Sequence, residues 1–280
     1  MKLIESMAEI RLMCDALRRE GKRIGLVPTM GYLHDGHLTL VNRARRAADV
    51  VIATIFVNPT QFAAGEDLST YPRDPDGDRR KLEEAGCDIL YLPRHDEIYP
   101  DGFASYVTVE GLALKYEGAF RPTHFRGVAT IVAKFFNIMN PDVAVFGRKD
   151  AQQVAVIRQV IRDLSYGVRL IVEDTVREPD GLAMSSRNVY LSPEEREESL
   201  SISRALGAAR DAIAGGVPVD EAEHLLRATL SPVIVLDYAD IIDPRTFEHG
   251  VDGGELLGIF AGRVGRTRLI DNMVMSAVEG

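Results

Sequence analysis

The stretch Arg23-Ile24-Gly25-Leu26-Val27-Pro28-Thr29-Met30-Gly31-Tyr32-Leu33-His34-Asp35-Gly36-His37 reads as a short buried strand, a turn and the opening of a helix that runs over about 36–48. Downstream of it, Val50 to Val57 is apolar and β-branched almost without interruption, the pattern of a parallel strand covered on both faces. Asn58 to Asp78 is polar and rich in Gly, Pro and Asp, and predicts a long functional loop that runs into a helix ending near Gly86. Asp88 to Leu92 is a third strand. Val128, Ile131, Val132 and Phe135 share one face of a helix over 127–139, stopped by Asn140-Pro141. Strand Asp142 to Phe146, a helix over 150–164 and strand Val168 to Val172 continue the alternation. Upstream, Ile10, Met13, Cys14 and Leu17 give helical spacing within 3–20, with Gly21 as the stop. Strands alternating with helices predict an α/β fold with a Rossmann-like, doubly wound parallel sheet.

Beyond about residue 175 the pattern changes. Ser192 caps a helix opened by Pro193 and an acidic run, Gly215 to Pro218 makes a turn, and strands are expected at 233–241 and 266–275. The expected organisation is a domain over 1–174 and a smaller C-terminal α+β domain over 175–280, joined near 174–183.

Of the 280 residues, 46% are hydrophobic, enough for a substantial core. The net charge of −9 disfavours nucleic acid and anionic membrane as partners, so a site for an anionic substrate must gather its own positive charge. No stretch approaches a membrane span and the N-terminal residues lack the apolar run of a signal peptide, which predicts a cytoplasmic protein. Cys14 and Cys87 sit in no metal or redox spacing.

Four segments carry chemistry. His34 and His37 follow a strand and open a helix, where open parallel sheets bind ligands and where a helix offers free N–H groups to phosphate. Three residues apart, the two imidazoles project from one side of the first turn and can stabilise charge on a departing pyrophosphate. Gly36 lets a nucleotide approach the backbone. Helix capping or a metal pair are the plainer readings of two such histidines, and placement after Pro28-Thr29-Met30-Gly31 argues against both. Met184-Ser185-Ser186-Arg187-Asn188 gathers hydroxyls and a guanidinium suited to phosphate oxygens. In Phe146-Gly147-Arg148-Lys149-Asp150-Ala151-Gln152-Gln153, Lys149 supplies charge, and Asp150 either caps a helix or meets a ribose. Phe56-Val57-Asn58-Pro59-Thr60-Gln61-Phe62 ends the second strand. There Gln61 offers donors and acceptors, and Phe56 and Phe62 either wall a pocket or form a core pair.

The His-x-Gly-His and Ser-Ser-Arg pair resembles the two signatures of the class I nucleotidyltransferase-like superfamily. The four segments in this order, with His124-Phe125-Arg126-Gly127-Val128 and Thr267-Arg268-Leu269-Ile270-Asp271-Asn272, resemble the pantothenate synthetase (pantoate–β-alanine ligase) family nearly end to end. The resemblance implies ATP-dependent condensation of pantoate with β-alanine through a pantoyl-adenylate, releasing AMP and pyrophosphate. It implies Mg²⁺ brought with ATP, no organic cofactor, a homodimer, and a C-terminal domain that closes over the ATP site. Carried over by position, Met30, Gly31, Tyr32, Leu33, His34, Asp35, Gly36 and His37 line the ATP site. Gly147, Arg148, Lys149, Asp150, Val176, Met184, Ser185, Ser186 and Arg187 complete it. Arg148 is given no role of its own. His34, His37, Lys149, Ser185, Ser186 and Arg187 are the catalytic set, and Gln61 and Gln153 hold substrate. Val128, Ile131 and Val132 meet pantoate's methyl groups. His37, which matches a proton donor, reads better as a hydrogen-bond donor, because pyrophosphate leaves readily. The loop from Ala63 to Asp67, with its small residues, is read as a cover against water. Protein ligands for the metal are unassigned, although Asp76 and Asp78 are near enough in sequence to orient one. A different nucleotidyltransferase would want more basic residues around its acceptor, and a non-catalytic nucleotide sensor would not need His34, His37, Lys149 and Arg187 together.

Overall fold

The computed structural model describes residues 1–63, 66 and 68–276. The chain divides into two compact units: Met1–Leu114 with Gly118–Gly147 and Val156–Glu173, and Lys115–Glu117 with Arg148–Ala155 and Asp174–Gly280.

The first unit is built on a six-stranded, wholly parallel sheet. Its strands are β1 (Lys2–Ile4), β2 (Ile24–Thr29), β3 (Val50–Ile55), β4 (Ile89–Tyr91), β5 (Val143–Gly147) and β6 (Arg169–Glu173). The helices along this part of the chain are α1 (Met7–Arg19), α2 (Asp35–Ala47), α3 (Pro75–Glu84), α4 (His95–Ile98), α5 (Glu117–Phe120), α6 (His124–Met139) and α7 (Ala151–Asp163), with α5 and α7 crossing the division between units. The spatial order is β1-β4-β3-β2-β5-β6. From β2 the chain steps outward through β3 and β4, then returns to place β5 on the other side of β2. The direction of winding therefore reverses between β2 and β5, which is where doubly wound sheets bind ligands.

Alternation along the strands divides the core. Val27, Val51, Ala53, Val143 and Val145 pack with Leu40, Val41 and Ala44 of α2 and Leu82 of α3. Leu26, Ile52 and Ala144, of opposite parity, are equally buried on the other face. α6 is buried along nearly its whole length, including Val128, Ile131 and Val132. It ends at Asn140, which is left-handed at φ 43° ahead of Pro141. The expected doubly wound sheet is therefore present. One segment differs from expectation: Lys2–Ile4, which the sequence pattern places at the approach to a helix, is an edge strand paired with Ile89–Tyr91. Three residues are too few for a period to show, and Ser6 starts the helix after them by accepting the Glu9 N–H.

The second unit holds α8 (Pro193–Ala214), α9 (Val219–Thr229) and an antiparallel sheet of β7 (Val235–Ile242), β8 (Leu256–Val264) and β9 (Thr267–Ser276), in the order β7-β8-β9. Ser192 and Glu195 form a reciprocal capping box at the start of α8. Ile202, Leu206, Leu226, Ile241 and Phe260 centre its core. The middle strand β8 has no counterpart among the strands expected from sequence. Gly258 and Gly262 break its pattern, yet both are packing positions. A Cβ at Gly258 would lie 1.9 Å from Met275 Cε, and one at Gly262 2.9 Å from Phe260 Cζ. Among the described residues, no helix is long and apolar enough to cross a membrane.

Candidate active site

In the first unit the site grows from the turn between β2 and α2. Gly31 (φ 85°) and Tyr32 (φ 50°) are both left-handed, so the turn aims successive amides to one side. The anion that meets them is internal. Buried Asp78 of α3 accepts the Tyr32 N–H at 2.8 Å and the Leu33 N–H at 2.6 Å. Lys81, one turn further along α3, donates to the Leu33 carbonyl at 2.6 Å. The Gly31 N–H reaches Thr29 Oγ1 at 3.3 Å. The amides from Gly31 to His34, which precede the first turn of α2, are thus all bonded within the chain.

The two histidines are in ring contact, with centroids 4.1 Å apart and planes at 44°. His34 is the N-cap of α2, and its N–H donates to His37 Nδ1 at 3.2 Å. A ring nitrogen that accepts a hydrogen bond carries no proton, so neutral His37 holds its proton on Nε2 and is a donor there.

Gln61, on the 3-10 turn Pro59–Gln61 after β3, is buried and fixed from several directions. Its Nε2 lies 3.1 Å from Met30 Sδ, and its Oε1 accepts from Asn58 Nδ2 at 3.0 Å. Its carbonyl meets His124 Nδ1 at 3.0 Å and Arg121 Nη2 at 3.3 Å. Gly127 allows this approach: a Cβ there would sit 2.5 Å from backbone atoms of Thr60 and Gln61. Arg121 also forms a two-pronged ion pair with Glu66, both contacts at 2.7 Å. Phe56 and Phe62 form no mutual pair. Phe56 packs with His95, Tyr99 and Phe135, and Phe62 with Tyr71. Of the expected covering loop, Ala64, Gly65 and Asp67 lie outside the described residues.

Gly147 closes a strand of the first unit, and the second unit holds the remaining candidates. Gly147 ends β5, and the 3-10 turn Arg148–Asp150 follows. Arg148 pairs with Asp174 at 2.8 Å, Lys149 is half-buried and Asp150 is exposed. Gln153 is half-buried, whereas its neighbour Gln152 is buried and structural. Gln152 accepts the Glu117 N–H at 3.0 Å and donates to the Lys115 carbonyl at 2.8 Å. Val176 and Met184 close a hairpin through a 2.9 Å backbone bond. That hairpin delivers Ser185, whose Oγ accepts the Arg187 N–H at 3.2 Å to open the 3-10 turn Ser186–Tyr190. Asn188 anchors the segment, donating to Glu178 at 2.7 Å and to the Ala183 carbonyl at 3.1 Å.

Sequence reasoning misses Asp78, Lys81 and Asn58 as parts of this machinery. It offers Asp78 only as a metal partner, and both its oxygens are occupied by amides. Among the described residues, no group of three or more His, Cys, Asp or Glu side chains is arranged to hold a metal ion.

A parallel sheet whose winding reverses between β2 and β5, with a braced turn and paired imidazoles after β2, defines a doubly wound α/β protein, a class that takes its ligands at that reversal. The comparisons narrow the class. Residues 2–274 match the family described as Pantoate-beta-alanine ligase. A pantothenate synthetase of Heliobacterium modesticaldum is 52% identical over 98% of this chain and 99% of its own. One from Herpetosiphon aurantiacus is 49% identical over 98% and 100%. A solved pantothenate synthetase of Thermus thermophilus superposes with a TM-score of 0.94 at 48% identity, covering 99% of this chain and 100% of that one. A pantoate-beta-alanine ligase from Francisella tularensis, solved in complex with beta-gamma ATP and beta-alanine, gives 0.82 at 32% identity over 98% of each chain. This chain belongs to the pantoate–β-alanine ligase family.

Proposed function

We propose that the protein condenses pantoate with β-alanine in two steps at the expense of MgATP. In the first, a pantoate carboxylate oxygen attacks the α-phosphorus, and the bond to the bridging oxygen breaks to release pyrophosphate. In the second, the β-alanine amine attacks the acyl carbon of the adenylate, AMP leaves and the amine loses a proton. The observation that carries this reading is the His34–His37 pair, whose hydrogen bond commits the His37 proton to Nε2. A neutral donor at the strand end can bond a phosphate oxygen more strongly as negative charge builds on the leaving group.

Two anions must be brought together in the first step, so positioning and charge compensation are the main demands. Lys149 and Arg187 supply positive charge to the phosphates, Ser185 and Ser186 supply hydroxyls, and Asp150 takes the ribose. Met30 to His37, with Gly147, Arg148, Val176 and Met184, line the nucleotide. Gln61 and Gln153 hold pantoate, Gln61 also meets β-alanine, and Val128, Ile131 and Val132 meet the pantoate methyls. Mg²⁺ enters as part of the nucleotide substrate, a reading supported by Asp78 having both oxygens committed to amides. Family likeness supports a homodimer, and the biosynthetic role of the relatives supports a cytoplasmic location.

The test is release of AMP and pyrophosphate from MgATP and pantoate, with and without β-alanine, by this chain and by His37→Ala. Sustained AMP production that needs both acids and falls by about two to three orders of magnitude in the variant is expected for loss of a donor to developing charge. ATP consumption that ignores pantoate would sink the reading.

A further inference from the structure

The segment Thr267 to Asn272 carries part of the family likeness but none of the ligand contacts assigned above. It forms the start of β9 and pairs with β8 through Asp271 opposite Phe260 and Asn272 opposite Ile259. Both Asp271 and Asn272 are almost fully buried, 5% and 3% exposed. Polar groups buried so deeply in an apolar sheet cost stability unless their bonds achieve something specific.

Asn272 directs its amide at the turn that carries Lys149. Its Nδ2 donates to the Arg148 carbonyl at 2.9 Å and to the Lys149 carbonyl at 2.8 Å. Two consecutive carbonyls held by one NH₂ group fix the two peptide planes that flank the Lys149 Cα. The direction of the Lys149 Cα–Cβ bond follows from those planes. Asp271 does the corresponding work on the Val176–Met184 hairpin. Its carboxylate binds Arg177 through both oxygens, at 2.7 and 3.0 Å. The same guanidinium reaches the Gly181 carbonyl at 3.1 Å and the Asn272 carbonyl at 3.2 Å. Two adjacent residues of one strand therefore tie down both segments that bear phosphate-binding candidates in this unit. The two anchors interlock, because the Asn272 N–H donates to Asp271 Oδ1 at 2.7 Å.

We propose that Asn272 is a positioning residue for ATP binding, acting by fixing the backbone of the turn that presents Lys149. The inference rests on the reading of Lys149 as an ATP ligand. It assigns a use to a donor that a purely structural asparagine would not need to aim at this turn, and it makes Asp271 the partner that keeps β9 in register with the hairpin.

A double-mutant cycle on the full chain tests this, read as the ATP dissociation constant by calorimetry and separately as ligase turnover. Asn272→Asp replaces the NH₂ donor with an oxygen facing two carbonyls, and Asn272→Ala is the milder second variant if the first does not fold. In the wild-type background either weakens ATP binding, on the order of tenfold, because loss of two hydrogen bonds lets the ligand-bearing turn shift. In a Lys149→Met background the same substitution has little further effect. A substitution at Asn272 that lowers Tm but leaves ATP binding unchanged overturns the proposal. So does a cycle in which the two fold-losses multiply, or a Lys149→Met variant that binds ATP like wild type. A coupled cycle in a wild-type protein that does not join pantoate to β-alanine supports the role of Asn272 and sinks the ligase reading alone.

Discussion

At the end of β2 the backbone turns its amides inward onto a carboxylate, whereas at the end of β5 it turns two carbonyls toward a neutral amide. The first turn, through Gly31 and Tyr32, makes a concavity of successive N–H groups that would attract an external anion. Asp78 occupies it instead, with Lys81 on the adjoining carbonyl. The second turn, Arg148–Asp150, is held by Asn272, which brings no charge of its own. The difference bears on which groups are left for substrate. A carboxylate beside the first turn cancels much of its backbone attraction for phosphate, so under the proposed function the work passes to the imidazoles that follow the braced turn. The neutral brace on the second turn adds no negative charge of its own beside Lys149, and the carboxylate within electrostatic reach of that lysine, Asp271, is itself paired with Arg177. Both turns are braced, but only the first is braced by a charge.

The largest effect expected from this contrast is at Asp78. Asp78→Ala leaves one buried and one partly buried N–H group without their acceptor and releases two left-handed residues from their support. The cost is roughly 3–5 kcal/mol of folding stability, from the penalty for unsatisfied buried donors and the loss of charge-assisted bonds. Denaturant unfolding measures it, and a loss under about 1 kcal/mol would show that the turn holds itself. ATP affinity should fall with it, since His34 and His37 begin where the brace ends.

Lys81→Met comes next. The alkyl stem is retained while one charge-assisted bond to the Leu33 carbonyl is lost, which predicts about 1–2 kcal/mol. If Lys81 serves mainly to offset the Asp78 charge, removing it weakens ATP binding more than it lowers stability. If it serves only the carbonyl, stability falls and ATP affinity does not.

How much of this is legible in the sequence follows from the range of the interactions. The parallel strands from β2 to β6 announce themselves because runs such as Val50 to Phe56 are apolar on both faces. The turn with His34 and His37 is legible because strand, turn and helix are contiguous. β8 is not, since Gly258 and Gly262 read as breaks until the packing of Met275, Leu206 and Phe260 against them is seen. Nor is the role of Asp78, which lies 46 residues along the chain from Tyr32. An aspartate in an acidic run suggests a metal as readily as a clamp. Asn272 is legible as part of a motif, but its partners are 124 and 123 residues away. Local chemistry is written in order along the chain, whereas bracing is supplied from wherever the fold brings a polar group.

The smallest effect separates charge from burial as the source of a brace's strength. Glu66 and Arg121 make a two-pronged ion pair like that of Asp271 with Arg177, but the Glu66 carboxylate is 23% exposed where that of Asp271 is 4%. Burial raises the Glu66 pKa, and the hydrogen bonds and charge of Arg121 outweigh it, so the carboxyl sits below its ordinary 4.5. A carboxylate with a depressed folded pKa binds its proton more weakly folded than unfolded. Its contribution is therefore complete above about pH 4.5 and fades as the pH falls through the depressed value. Glu66→Gln should cost about 1 kcal/mol at pH 7, after discounting for solvent screening. The gap from wild type should narrow on acidification, as urea unfolding at about pH 7 and about pH 3.5 would register. A loss as large as that of Asp78→Ala would mean that charge alone makes such braces strong. A gap of the expected size places the advantage of Asp78 in its burial against two amides, which water cannot replace once the carboxylate is gone.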